Sequence, residues 1–305
     1  MVRDVAEVPY GDPAIVQKYL HRPLLYRGYK FDLRLYVLVT SFQPLEVFLY
    51  QEGFGRFSSQ AFTLKHSDLK DNYIHLTNSS INKHASQIPQ PLKGAKQSEV
   101  GGNKCSLAWL WRELAGVGID TELVWRRICE VVLKALLCVE DVLGHPNSFE
   151  VFGFDVLIDE DLKPWLLEIN SSPSLAIENP LDEAIKCAMV ADTIRIVEPP
   201  AVDREALLRC LQRRMSEAEK PWVSSKASTM EVLDCDMHEV LMAAKPRQIG
   251  ETPPDLGGYQ CIAPSPMYDA IAKYRRQPRA KPKLTGDGLT SVSIAADGKP
   301  DGKRK

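Results

Sequence analysis

No stretch of the 305 residues approaches the ~20 consecutive apolar residues that a membrane-spanning helix needs. The first residues, MVRDVAEVPYGDP, carry no apolar run of the secretory type. A soluble, intracellular protein with no membrane partner is the expectation. Cysteine is sparse and unpatterned: seven residues, an odd count, with no CxxC pair. That excludes a disulfide framework or zinc cluster as the organising feature and points to reduced thiols. The commonest phosphate-binding signatures are missing too, since neither G-x-x-x-x-G-K-[ST] nor GxGxxG occurs. No Ser/His/Asp or Cys/His arrangement stands out, so a covalent protein intermediate is not expected. A charge excess is also lacking. The formal net charge is −2, so no global field selects a partner, and no nucleic acid is expected.

What is present is a hydrophobic fraction of 44%, enough for a real core in one large or two ordinary domains. Lys30–Ser41 (KFDLRLYVLVTS) and Leu45–Gln51 (LEVFLYQ) read as an antiparallel hairpin, with Glu52–Phe57 (EGFGRF) turning the chain afterwards. Ala14–Leu20 reads as a short strand, and Ala85–Lys104 as a mobile loop rich in Gln, Gly, Pro, Ser and Lys. Ser106–Leu114 is a short helix. Asp120 caps a longer one that carries an apolar stripe to Gly144. Asn179-Pro180 opens another, and Asp203–Lys220 and Ser228–Ala244 are amphipathic candidates. Beyond Lys245 the chain is rich in Pro and Gly and is expected to be largely disordered, with Gly257–Tyr274 docking back. From Lys273 to Lys305 there are ten Lys or Arg against three Asp, a tail able to attract an acidic polymer. Strands and helices in mixed order give an α+β class with an antiparallel sheet.

The chemistry-bearing stretch is Phe149–Leu175, FEVFGFDVLIDEDLKPWLLEINSSPSL. It reads as a β-hairpin with its loop at Asp159–Lys163. Symmetric folding places Asp155 opposite Glu168, with Asn170 on the same face as Glu168. Two carboxylates and a side-chain carbonyl in a greasy sheet need a cation or partner, and hard oxygen ligands suit Mg²⁺. In Lys30–Arg34, residues Lys30, Asp32 and Arg34 share one strand face, as a phosphorylated ligand or a row of exposed ion pairs would require. His75–Lys83 (HLTNSSINK) offers small hydroxyl and amide groups, suited to a polar substrate or a capped turn. Arg56, in the Gly-flanked EGFGRF segment, can meet a carboxylate in bidentate fashion.

Four blocks, IVQKYLHRPLLYRGYKFDLRLYVLVTS, PLEVFLYQEGFGRFS, HLTNSSINK and the Phe149–Leu175 hairpin, together resemble the tubulin–tyrosine ligase-like family across about residues 14–195. The sequence looks closest to its tubulin polyglutamylase members. The resemblance implies the C-terminal lobe of an ATP-grasp fold, an antiparallel sheet flanked by helices. It implies an ATP-dependent ligase that activates a carboxylate as an acyl-phosphate and joins it to an amino acid. The implied substrates are free L-glutamate and the acidic C-terminal tails of tubulin or microtubules. The implied cofactors are ATP and Mg²⁺.

Residue by residue, the resemblance places the adenine hinge at Gln17, Lys18, Tyr19 and Leu20, with further nucleotide contacts from Lys30, Asp32, Thr77 and Asn78. Arg34 faces the acyl-phosphate. Arg56, Ser80 and Lys104 hold the amino acid, and Asp155, Glu168 and Asn170 hold the metal. The family's upstream segment, with its phosphate-covering loop and lysine, has no counterpart in Met1–Pro13, so the lobe is expected to be incomplete. Position 79 is Ser where the family often has an aromatic residue. The expected organisation is an irregular 1–13, a catalytic lobe over 14–200, a helical extension over 201–245 and a basic tail over 246–305. A monomer in the cytoplasm and on the cytoskeleton, including the cilium or flagellar basal body, is expected. A non-catalytic microtubule-binding protein and a ligase adding glycine or tyrosine are the alternatives.

Overall fold

In this computed structural model the described residues are 15–83, 85, 88–143, 148–199, 202–218, 236, 240, 241 and 247–274, with 7, 8 and 11. The main compact unit ends at residue 275, and residues 275–305 lie outside the described residues. Most of the expected basic tail and most of the Ser228–Ala244 helix lie outside the described residues.

The elements in chain order are β1 (Leu25–Tyr26), β2 (Tyr29–Phe42), β3 (Leu45–Phe57), α1 (Asn72–His75), α2 (Ser79–Asn82), β4 (Val100–Gly101), β5 (Lys104–Ser106), α3 (Leu107–Gly116) and α4 (Thr121–Leu137). They continue with β6 (Glu150–Ile158), β7 (Pro164–Asn170), α5 (Pro180–Val197), α6 (Arg204–Ala218), β8 (Tyr259–Ala263) and α7 (Pro266–Ala272). All eight strands form one antiparallel sheet in the order β4-β5-β3-β2-β6-β7, with β1 beside β2 and β8 beside β3. The α+β class with helices flanking an antiparallel sheet is the observed one.

Strand β2 divides the molecule, because alternate side chains point to opposite faces. Phe31, Leu33, Leu35, Val37 and Val39 enter the larger core, under α3 and α4. Tyr36 and Leu38 enter a smaller core on the other face, with Phe48, Phe54 and the α5 residues Leu181, Ile185 and Met189. At the start of β2 this second face carries Lys30, Asp32 and Arg34 in place of apolar residues. One face is therefore core throughout, and the other is half core and half polar site.

Several expectations are corrected. Ala14–Leu20 is not a strand: residues 15–20 have no regular structure, and 15–18 are exposed. EGFGRF does not turn the chain but completes β3. Its glycines serve close packing instead of a bend. A Cβ on Gly53 would lie 2.4 Å from the Arg34 carbonyl oxygen, and one on Gly55 would lie 2.8 Å from Leu110 and 2.9 Å from the Cys105 sulfur. The 85–104 region is structured at Gln90–Leu92, β4 and the start of β5. Helix α4 stops at Leu137, not Gly144. Its buried stripe runs through Val124, Ile128, Val132 and Leu136, flanked by Cys129, Leu133 and Leu137. Gly257–Tyr274 docks back as expected, adding β8 to the edge of β3 and packing α7 near α4. That segment carries the apolar Tyr259, Ile262, Met267 and Tyr268 needed to dock. No helix among the described residues is long and apolar enough to cross a membrane, and the six described cysteines are free.

Candidate functional site: two charged rows across the sheet

The site follows from strand register. Asp32 pairs with Arg56, and Arg56 pairs on its other side with Lys104. Arg34 pairs with Asp155, and Asp155 with Glu168. Directly opposed residues share a face, so two parallel rows of charge, Lys104–Arg56–Asp32 and Arg34–Asp155–Glu168, cross the α5 face of the sheet.

The rows are stitched together. Arg56 donates through Nε and Nη2 to the two oxygens of Asp32, at 2.7 and 2.6 Å, and through Nη2 to Asp155 at 2.8 Å. Arg34 donates through Nε to Oδ1 of Asp155, and through Nη2 to Oδ2 at 2.9 Å. Asp32, Arg56 and Asp155 are all buried. Burial pushes the Asp155 carboxyl upward, but its bonds to Arg34 and the charges of both arginines outweigh this and hold it below the usual carboxylate range. Burial disfavours the Arg56 charge, yet Asp32 and Asp155 raise its pKa above the ordinary arginine value. Gly153 lets the Arg34 side chain lie flat: an added Cβ there would meet Pro173 at 2.9 Å and Arg34 Cδ at 3.4 Å.

The metal-type set is brought together as expected, but through a register shift between Asp155 and Val156 and in different surroundings. Asp155 faces Glu168 across the hairpin. Asn170 lies beside Glu168, its Nδ2 donating to Oε1 at 3.2 Å. Asp155 does not depend on a cation for charge compensation, since two arginines supply it. Glu168 lies on exposed edge strand β7, not inside a greasy sheet. No group of three or more His, Cys, Asp and Glu side chains suited to a metal occurs among the described residues; this set has two carboxylates and an amide. The oxygen donors fit Mg²⁺, which prefers few protein ligands and completes its shell with water and phosphate.

Lys30 anchors a second neighbourhood. Its Nζ donates to the His75 carbonyl at 2.7 Å and to the Tyr19 hydroxyl at 3.3 Å, and lies 4.9 Å from the centre of the Tyr19 ring. The Tyr19 hydroxyl also meets His75 Nδ1 at 3.0 Å. Burial lowers the Lys30 pKa to about 8, partly opposed by Asp32. Tyr19 and Lys30 are thus joined, while Gln17 and Lys18 are exposed and Leu20 is half-buried. Thr77 is buried, its carbonyl accepting from Asn103 at 2.9 Å. Asn78 precedes α2, and Ser80 on α2 is exposed.

Lys104 reaches a cleft of about 530 Å³ lined by Ser59, Ser79, Asn82, Asn103, Glu178 and Asn179 among others. Ser79, not Ser80, lines it. Three residues not singled out as site residues in the sequence contact those that were: His75 beside Lys30 and Tyr19, and Asp182 and Asn179 beside Lys104. Asn179-Pro180 carried only a helix-start signal, and His75 acts through its carbonyl as well as its ring, which no motif records.

The profile of the tubulin-tyrosine ligase family matches residues 1–206. The chain is 37% identical over 241 residues to tubulin polyglutamylase ttll-5 of Caenorhabditis elegans, covering 75% of this chain and 32% of that protein. It is 38% identical over 200 residues to tubulin monoglutamylase TTLL4 of Mus musculus, covering 63% and 16%. It is 42% identical over 197 residues to probable tubulin polyglutamylase TTLL2 of Homo sapiens, covering 64% and 32%. The chain spans about a third or less of the length of these relatives. Ordered motif blocks, charged rows and profile agree: the chain belongs to the tubulin-tyrosine ligase family.

Proposed function

We propose that these residues form part of an ATP-dependent ligase that attaches L-glutamate to glutamate side chains in tubulin tails. The observation that carries the reading is the pair of charged rows, in a chain whose relatives are named as tubulin glutamylases. Such a ligase joins three anions, ATP, an acceptor carboxylate and an amino acid, so cations must face each of them. Lys30, with Tyr19, Thr77 and Asn78, lies where nucleotide would bind, and Gln17, Lys18 and Leu20 flank it as the adenine hinge. Arg34 faces the reacting carboxyl, where its charge stabilises the acyl-phosphate and the tetrahedral adduct formed by amine attack. Asp32 fixes Arg56. The Nη1 group of Arg56 makes no hydrogen bond among the described residues and is the part left to meet a carboxylate. Ser80 and Lys104 complete the amino-acid contacts. Asp155, Glu168 and Asn170 are the donors that would hold Mg²⁺, which neutralises phosphate charge when bound.

On this reading the protein works at the cytoskeleton, with microtubules as partner and the cilium or basal body among its sites. Tubulin incubated with the protein, ATP, Mg²⁺ and L-glutamate should gain mass in glutamate-residue steps, and Arg34→Ala should abolish the gain. Glycine or tyrosine steps, or steps unaffected by Arg34→Ala, would overturn the assignment.

A further inference from the structure

The start of α5 holds a buried ion cluster that no motif block explains. Asp182 is completely buried. Both its oxygens accept from Lys104 Nζ, at 2.7 and 2.8 Å, and Lys186 Nζ lies 3.4 Å from Oδ1. The Glu178 N–H and Asn179 Nδ2 donate to Oδ2 at 3.2 and 3.1 Å, while the Asp182 N–H donates to Asn179 Oδ1 at 3.0 Å. Both ammonium groups lie near the Phe54 ring, at 5.3 and 5.7 Å from its centre. Gly101 presses on the same cluster, since a Cβ there would lie 2.5 Å from Asn179 Oδ1.

A carboxylate buried this deeply needs strong partners, and a single lysine with a cap would satisfy one. Here two lysines converge on one buried carboxylate, and the second acid beside Lys104 is exposed. Of the two, Lys104 lines the cleft, whereas Lys186 donates to the Ala176 carbonyl at 2.5 Å. The remaining neighbour of Lys104 is the exposed Glu178, at 3.4 Å. A flexible lysine on a strand would sample many rotamers. Two short bonds from a buried carboxylate, itself fixed by a helix cap, remove that freedom before a ligand arrives.

We infer that Asp182 is a positioning residue for amino-acid binding: it holds the Lys104 ammonium at the cleft wall, aimed at the carboxylate of the incoming amino acid. The inference rests on the proposed role of Lys104 and extends it to a residue on another element. Asp182 acts through Lys104 and does not touch the ligand.

The test is calorimetric titration of L-glutamate into the protein, with ATP titrated separately as control. Lys104→Met should weaken glutamate binding about tenfold or more, the usual effect of losing a charge-assisted bond. Asp182→Asn should weaken it comparably, leave ATP affinity unchanged, and add nothing in a Lys104→Met background. Asp182→Glu, which keeps the charge, should recover much of the affinity. If Asp182→Asn does not fold, Asn179→Ala loosens the same carboxylate by removing one amide bond to it and the helix cap on the Asp182 N–H. It should weaken glutamate several-fold with ATP unchanged. Absent glutamate binding by the native protein, or unchanged binding in Lys104→Met, overturns the Lys104 reading and this inference with it. Weakening by Lys104→Met alone, with the Asp182 and Asn179 variants at native affinity or weakened equally for ATP, overturns only the positioning role.

Discussion

Arg56→Met is the most informative single perturbation of the fold. Arg56 is 6% exposed and makes three described hydrogen bonds to Asp32 and Asp155, which are each 2% exposed. Methionine fills similar volume, so the change removes charge more than packing. Asp155 retains Arg34, but Asp32 loses both of its bonds from the guanidinium. Stranding a buried charge in this way costs about 3–5 kcal/mol. For a domain of this size that lowers Tm by about 10 °C. The loss should depend on pH. The folded Asp155 pKa is depressed, so its stabilising contribution is present above the unfolded carboxyl value of about 4. That contribution fades as pH falls through the lower folded value. The gap between native and variant should therefore be full at neutral pH and narrow in acid. Urea unfolding across that range measures it. A loss under about 1 kcal/mol at neutral pH would refute the buried network, as would a gap that widens on acidification.

Lys30, charged below its pKa of about 8 and neutral above it, should give a nucleotide affinity that falls as pH rises through about 8. Global stability should rise between that value and the unfolded lysine value of about 10.4, and Lys30→Met should flatten both profiles in titration and melting experiments. Gly53→Ala forces a Cβ to within 2.4 Å of the Arg34 carbonyl oxygen. It should cost about 1–3 kcal/mol in urea unfolding, because backbone must move. Asp120→Ala removes the side-chain acceptor of the Leu123 N–H at the start of α4; thermal melting should report a loss of about 1 kcal/mol.

The hairpin was legible from its alternation and polar five-residue loop, but pairing symmetric about Asp161 would set Asp155 against Leu167; the register shift between Asp155 and Val156 is what sets Asp155 against Glu168. The grouping of Lys30, Asp32 and Arg34 was legible from alternation as well. What they touch was not. Period-two spacing assigns a face, but not whether a helix covers that face. Arg56 was misplaced because glycine marks both turns and close packing, and the packing depends on Leu110 and Cys105, far along the chain. Asp182 was hidden behind a local signal: Asn179-Pro180 announced a helix start, while the buried lysine partner lies on β5. Contacts between distant segments leave no periodicity to read, and those contacts decide the electrostatics of this site.

The proposed function stands or falls on nucleotide bound beside Lys30 with a divalent cation held by Asp155, Glu168 and Asn170. ATP affinity measured with Mg²⁺ and with chelator, in native protein and in Glu168→Gln, tests it most directly. Glu168 is exposed, so the substitution should leave stability within about 0.5 kcal/mol. The account predicts Mg²⁺-dependent binding in the native protein that the variant loses. Native binding that ignores Mg²⁺, or a variant that keeps the full dependence, would contradict it.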